Sequence, residues 1–559
     1  MRFPDRACFV ILAIILAALG LTGVSQLAHA IPTQVATRRI SLSSSGAQAN
    51  GASSLPSISA DGRYVAFASH ATNLTPNDTN GVQDVFVHDC LTGATRRVSL
   101  SSAGEQGNAP SYSPAISPDG RYIAFVSDAT NLVSVDTNFA SDIFLHDLQT
   151  GQTRRVSIAS NGVQPNDHSI APAVSAGGRY VAFQSYASNL VSGDTNQSSD
   201  IFLHDLQTGQ TSRVSLGAGG VQGNGSSMLP GLSADGRVLV FRSLAPNLVA
   251  QDTNDVADIF VRWLDTGETR RVSLSSSGAQ ANGDSNAPVI SNDGRHVAFI
   301  SNADNLVSGD TNTVADVFHH DLDTGQTQRI SLSSDGVQAN DGVELRLSIS
   351  ADGRFVAFAS WADNLVSDDT NAYADVFIHD RWSGLTERLS LDSNNQPADR
   401  ESYHPSLSAD GRYAAFDSFA SNLTPGDTNA VADVFWRDRG PQPQPTLSAN
   451  PAVSAPGSFI SMEGVNFPRL SLVSLSVNGS PLTPTLSVDS SGYFSFTVDS
   501  TLAEPGIYLV RASANPSALA YVILDPEANL VPQQGDAPIV ILPSDIGYTQ
   551  IRYLPLVYR

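Results

Sequence analysis

Helix signals are scarce in this sequence. Short Val, Ile and Phe runs are separated by clusters of Gly, Ser, Thr, Asn and Asp, the pattern of strands and turns, so an all-β chain is expected. Cysteine is nearly missing, with two in 559 residues. Cys8 lies in an N-terminal segment expected to be removed, so Cys90 stands alone and no disulfide framework is expected. Cys90 takes a place filled elsewhere by Leu148 and Leu206 and reads as packing, not as a reactive thiol. Basic residues are outnumbered 31 to 54, a net charge of −23. That argues against nucleic acid or an anionic membrane as partner, and leaves cations or a basic partner open. Catalytic signatures are missing too: there is no G-x-S-x-G, H-E-x-x-H, P-loop or paired-Cys motif. A chain that is not an enzyme is therefore expected. Past residue 30 no apolar stretch is long enough to cross a bilayer.

The first 30 residues look like a targeting segment. Arg2 and Arg6 precede an apolar run from Cys8 to Val24, and Ala28-His29-Ala30 fits a small-residue cleavage site. The alternative is an uncleaved anchor, because the run is nearly long enough to span. Either way the rest of the chain is expected outside the cytoplasm, secreted or in the cell envelope, as a monomer.

One unit recurs seven times. Its D-G-R element stands at Asp61, Asp119, Asp235, Asp293, Asp352 and Asp410, with Gly177 in the Asp place once. The period of 58 residues, 59 once, carries four strand-like runs. In the first copy these are strand a at 56–59, b at 64–68, c at 85–88 and d at 95–100, with tight turns at Asp61-Gly62 and Thr92-Gly93. Four-stranded repeats of this length point to propeller blades. The last copy stops at Asp438 without its fourth strand, while a spare Arg38-Arg39-Ile40-Ser41-Leu42 precedes the first copy. The expectation is a seven-bladed β-propeller over 37–439, its last blade closed by the N-terminal strand. Position 58 is aliphatic in every copy and is expected between blades. Ser59 and its equivalents are expected to face the axial channel.

The run S-P-D-G-R-Y-I-A-F (Ser117–Phe125), followed by D-I-F-L-H-D and a T-G turn, resembles the TolB-type, WD-like β-propeller repeat of bacterial secreted and periplasmic proteins. The resemblance covers about 37–439 and implies the propeller fold. It implies little about function, since such propellers serve as protein-binding scaffolds and as parts of enzymes.

The long b–c and d–a loops fall on one face of the disc and the tight turns on the other. Binding residues favour long loops on a rigid frame. The long-loop face is expected to be acidic, because each blade carries D-T-N and a further Asp at the start of strand c. These residues are Asp78, Asn80 and Asp84; Asp136, Asn138 and Asp142; Asp194, Asn196 and Asp200; Asp252, Asn254 and Asp258; Asp310, Asn312 and Asp316; Asp369, Asn371 and Asp375; Asp427, Asn429 and Asp433. Arg63-like and Arg97-like residues are expected on the opposite face, too far to neutralise them. Two readings stand open. One is turn chemistry, with Asp and Asn capping backbone N–H groups. The other is one calcium ion per blade, since oxygen ligands at positions 1, 3 and 7 match part of a calcium loop, although position 6 is never Gly.

Five histidines share one position: His88, His146, His204, His320 and His379. Arg262 and Arg437 replace them in two copies, and Arg can serve neither as metal ligand nor as base. A structural role is expected. His168, Arg242, Glu344, Arg346, Glu401 and His404 break the repeat, as ligand specificity requires. If His168, Glu344, Arg346 and His404 converge, a polysaccharide hydrolase or lyase becomes the rival reading; if not, a protein- or polysaccharide-binding scaffold remains.

Residues 440–445 contain P-Q-P-Q-P, a stiff linker. Residues 446–525 alternate as strands, and G-V-N-F-P, V-N-G, G-Y-F-S-F and P-G-I-Y resemble small immunoglobulin-like modules of secreted bacterial proteins. The tail, 526–559, is expected to be a docking strand or sorting signal.

Overall fold

The computed structural model describes residues 36–542, apart from 470, 505, 514–516, 527 and 533–536. The segment 1–30, expected to be a signal, and the end of the tail lie outside the described residues. Seven four-stranded antiparallel sheets make the blades. In the first, strands Ser53–Ile58, Tyr64–Ser69, Asp84–Asp89 and Ala94–Arg97 pair in sequence order. The last sheet takes three strands from Ser402–Leu407, Tyr413–Ser418 and Asp433–Asp438 and its fourth from the other end of the chain. Ala36–Arg39 pairs antiparallel with Asp438–Phe435, so the ring is closed as its sequence offset implies. Ile40 continues into the core beside Ile58, Val65 and Val434.

Each blade is built on the same apolar logic. The Phe of strand b stacks on the Phe of strand c, at ring separations from 6.0 Å for Phe67 on Phe86 to 5.8 Å for Phe416 on Phe435. Neither face of such a sheet can meet water, and the neighbouring blades cover both. Strands a of adjacent blades touch all round the ring and so surround the axis.

Strand a differs from expectation in two ways. It begins earlier, at Ser53, and it carries a bulge. Pairing shifts between Ser54 and Ser57, and Leu55 takes φ 57 ahead of Pro56. The same kink recurs at Ser113, Ala171, Leu229, Ala287 and His404, each before a proline. Proline lacks an N–H and its ring restricts the residue before it, so a bulge resolves the conflict. Secondly, Ser59 does not face the channel. It is fully buried, donating to Asp61 Oδ1 at 2.5 Å while its Oγ accepts Tyr64 N–H at 3.0 Å, so it closes the a–b turn.

The second domain is a β-sandwich. Strands Thr446–Asn450, Phe459–Val465, Phe494–Asp499 and Ile539–Ile541 form one sheet. Val453–Ser454, Leu472–Val477, Ser480–Ser487, Gly506–Ser513 and Ser517–Leu524 form the other. Ile460, Phe496, Val510 and Val522 fill the space between them. The sandwich continues past residue 525, because Ile539–Ile541 pairs with Thr497–Asp499. Blade 6 receives the linker: Arg354 donates to Pro443 O at 2.6 Å, and Arg469 N–H reaches Trp382 O at 2.9 Å. Among the described residues no helix is long and apolar enough to cross a membrane.

Candidate functional site

The fourteen loop carboxylates are neither exposed nor free. Arg97 meets Asp78 at 2.8 Å and Asp84 at 3.6 Å. Arg155 holds Asp136 and Asp142, Arg213 holds Asp194 and Asp200, and Arg271 holds Asp252 and Asp258. Arg329 holds Asp310 and Asp316, and Arg388 holds Asp369 and Asp375. None of these carboxylate side chains is more than 6% exposed. The expectation that the Arg97-like residues lie on the opposite face is wrong for a geometric reason. Strand d starts at the T-G turn and crosses the disc, so its last residue arrives at the long loops. Alternation along the strand then turns Arg97 inward while Arg96 faces solvent. The Arg63-like residues do stay at the tight turns, where Arg63 grips both oxygens of Asp89 at 3.0 and 2.8 Å.

The rest of each cluster is internal as well. Ser99 Oγ donates to Asp84 Oδ1 at 2.6 Å, and Asn80 Nδ2 donates to Asp84 Oδ2 and to Gly107 O, both at 2.9 Å. Asn138, Asn196, Asn254, Asn312, Asn371 and Asn429 repeat the bond to their own strand-c Asp. Burial, against a single guanidinium for two acids, raises the carboxyls of Asp84, Asp316 and Asp433, and lifts Asp375 to about 6. The residues do not fit calcium. That ion wants about six to eight oxygen ligands, and here the asparagine presents its N–H groups and an arginine already fills the gap between the acids. The chain has no lysine; its 31 basic residues are all arginine, whose planar fork can bridge two carboxylates where an ammonium offers only a point charge.

In blade 7 the partners come from the N-terminus. Arg39 lies 3.6 Å from Asp427 and 3.3 Å from Asp433, and Ser41 Oγ donates to Asp433 at 2.5 Å. Gln48 donates to both acids, at 2.8 and 3.0 Å. The closing strand thus completes a buried ion cluster as well as a sheet.

The repeated histidines are structural. His88 Nδ1 lies 2.8 Å from Thr95 Oγ1, whose hydroxyl donates to Leu42 O of the preceding blade. Arg262 and Arg437 make the same contact with Thr269 and Thr37, at 2.8 and 2.7 Å. Thr95 gives its one hydroxyl proton to Leu42 O, so Nδ1–H of His88 is the donor to Thr95, as the guanidinium is in the two arginine blades. Burial pushes His88 and His379 down to about 4, and lowers His146, His204 and His320. Cys90 is packed beside Trp436, and burial pushes its thiol up to about 12.

The residues that break the repeat divide into groups. His168 accepts Ser141 N–H at 2.9 Å, between blades 2 and 3. Arg242 is spent on Ser285 O of blade 5 at 3.2 Å. Glu344, Arg346 and His404 converge on the opposite side of the ring from His168, where blades 6 and 7 meet at the axial mouth of the long-loop face. Blade 6 alone lacks the proline and the positive-φ residue before it; its first strand, Val343–Ile349, is seven residues long and breaks its pairing across Glu344-Leu345-Arg346 instead. Leu345 and Arg346 are exposed on it.

His404 Nδ1 lies 2.8 and 3.1 Å from the two oxygens of Asp417, which is 4% exposed and whose carboxyl burial raises. Arg346 is reachable by water yet surrounded by protein. Burial lowers its pKa while Asp417 and Glu344 pull it back up, and among the described residues none hydrogen-bonds it. The Tyr403 ring stands 6.1 Å from His404 and 6.4 Å from Trp361. Asp417 escaped the sequence reading. The signal was there: its equivalents are Ala68, Val126, Gln184, Arg242, Ile300 and Ala359, mostly apolar or neutral. The place just after strand b carries a different residue in every blade: His70, Asp128, Tyr186, Leu244, Asn302, Trp361 and Phe419, all exposed.

No family model matches the chain, and no curated protein matches it. Solved structures do. A TolB candidate from Agrobacterium tumefaciens is 19% identical over 50% of this chain and 80% of its own, with a TM-score of 0.32. An oligogalacturonate lyase in complex with manganese is 13% identical over 73% and 93%, with a TM-score of 0.44. A prolyl endopeptidase is 12% identical over 74% and 54%, with a TM-score of 0.43. At such identities no activity passes from these proteins to this chain.

Proposed function

We propose that the chain is an exported binding protein whose propeller is a rigid frame and whose ligand seat is the axial mouth between blades 6 and 7. The observation carrying this reading is the convergence there of Glu344, Arg346, Tyr403, His404 and Asp417, in a protein whose blades otherwise repeat nearly word for word. A ring of equal blades offers equal sites, so selective binding requires such a break. Export follows from the N-terminal segment, and the sandwich, with its immunoglobulin-like motifs, is proposed as a spacer that holds the propeller away from its anchorage.

The experiment is a pull-down from envelope extract with the intact chain and with an Arg346→Ala, Tyr403→Ala variant. A ligand retained by the first and lost by the second, at unchanged melting temperature, is the expected outcome. Equal retention by both would place the binding surface elsewhere.

One geometry favours a second reading, a hydrolase or lyase on polysaccharide. Asp417 holds His404 by Nδ1, the arrangement that orients an imidazole as a base. Conversion of any bound oligosaccharide, abolished by His404→Gln, would support it.

A further inference from the structure

We infer that the seat between blades 6 and 7 takes a neutral glycan. The inference rests on the proposed seat and names what fills it. The mouth presents flat apolar surface beside polar groups of both kinds. Trp361 is 40% exposed and Phe419 44%, with Tyr403 between their blades. Aromatic faces left open beside polar groups suit a ligand with an apolar face of its own, and the C–H face of a pyranose is one.

Charge then decides among ligands. Arg346 is the cation of the seat, Glu344 and Glu401 are carboxylates, and Asp417 is engaged by His404. The seat is therefore not positive, in a chain of net charge −23, and a polyanion would be repelled. A cationic ligand would meet the guanidinium of Arg346 in its path. A polyhydroxylated neutral ring uses the set as it stands: hydroxyls donate to Glu344 and Glu401 and accept from Arg346. Arg346 is exposed and has no hydrogen-bond partner among the described residues, so its guanidinium is free to donate to such an acceptor. The blade that supplies it is the one whose first strand has no proline and breaks its pairing across Glu344-Leu345-Arg346 instead.

The test is titration of the full chain with neutral hexaoses (β-1,4-linked glucose, mannose and xylose, and α-1,4-linked glucose) and with hexagalacturonate as the acidic counterpart, read by tryptophan fluorescence and calorimetry. Trp382 and Trp436 are buried, so Trp361 is well placed to report. We expect at least one neutral hexaose to bind, Trp361→Ala and Arg346→Ala to weaken it about tenfold or more, and Trp361→Phe, which keeps a flat ring, to retain much of the binding. Binding that needs the carboxylates of hexagalacturonate overturns the neutral class and leaves the seat. Binding indifferent to Trp361→Ala and Arg346→Ala overturns the location. Failure of every neutral hexaose overturns the inference, while the pull-down with Arg346→Ala, Tyr403→Ala judges the seat separately.

Discussion

Replacing Arg39 by methionine should destabilise the propeller by about 3–5 kcal/mol, the usual cost of stripping one partner from a buried ion pair. Asp427 and Asp433 would lose the one guanidinium that pairs with them among the described residues, with side chains 5% and 0% exposed. Gln48 and Ser41 would remain as donors, and burial would drive the pair further toward protonation. Arg97→Met removes the same contacts in blade 1 and should cost a similar amount. Deleting residues 36–42 should cost far more than either. It removes Arg39 and Ser41, withdraws Ile40 from the core, and leaves Asp433–Asp438 as an unpaired edge in an open ring. Urea midpoints of the three variants check the ranking. A deletion no worse than Arg97→Met would mean that the ring does not depend on its closing strand.

Acid should also act strongly, through the imidazoles. Seven buried histidines have lowered pKa values: His88 and His379 near 4, and His146, His204, His320, His296 and His319 lowered as well. The unfolded chain protonates them near 6.5. Between pH 6.5 and about 4 the unfolded state therefore binds more protons, and the stability these groups contribute above pH 6.5 is lost as pH falls. For His379 the loss across that window is up to about 3 kcal/mol. Asp375, lifted to about 6, runs the other way, taking its proton first in the folded state. Comparison with His379→Asn isolates the imidazole, because its amide nitrogen takes the place of Nδ1 and can still donate to Thr386. The variant should be no more stable than the parent at pH 7.5 and should gain on it steadily toward pH 5. A difference that does not change with pH would show that His379 titrates normally.

The fold was legible because it is written seven times. Strand order, turn positions and blade number all follow from the repeat, and the closing strand follows from its displacement. What escaped was direction within a blade. Arg97 is placed by the length of strand d, which carries it across the disc, and a sequence shows the residue without showing which end of the strand it occupies. The bulge at Leu55-Pro56 was hidden in the same way, since proline marks a break in pairing without saying that the strand resumes before it. The histidines were read correctly because Arg262 and Arg437 removed the chemical alternatives. Asp417 was not legible because its place on strand b changes from blade to blade (Ala68, Val126, Gln184, Arg242), and only packing shows that it meets His404.

The loop carboxylates belong to the frame, each pair held by an arginine. The direct measurement is the melting temperature of the intact chain in chelator and in millimolar calcium. A cation bound only by the folded state must raise it, because it adds about 2.7 kcal/mol of stability per site at a hundredfold excess over the dissociation constant. Arginine-held clusters predict the same melting temperature in both buffers. A rise of several degrees in calcium would contradict them.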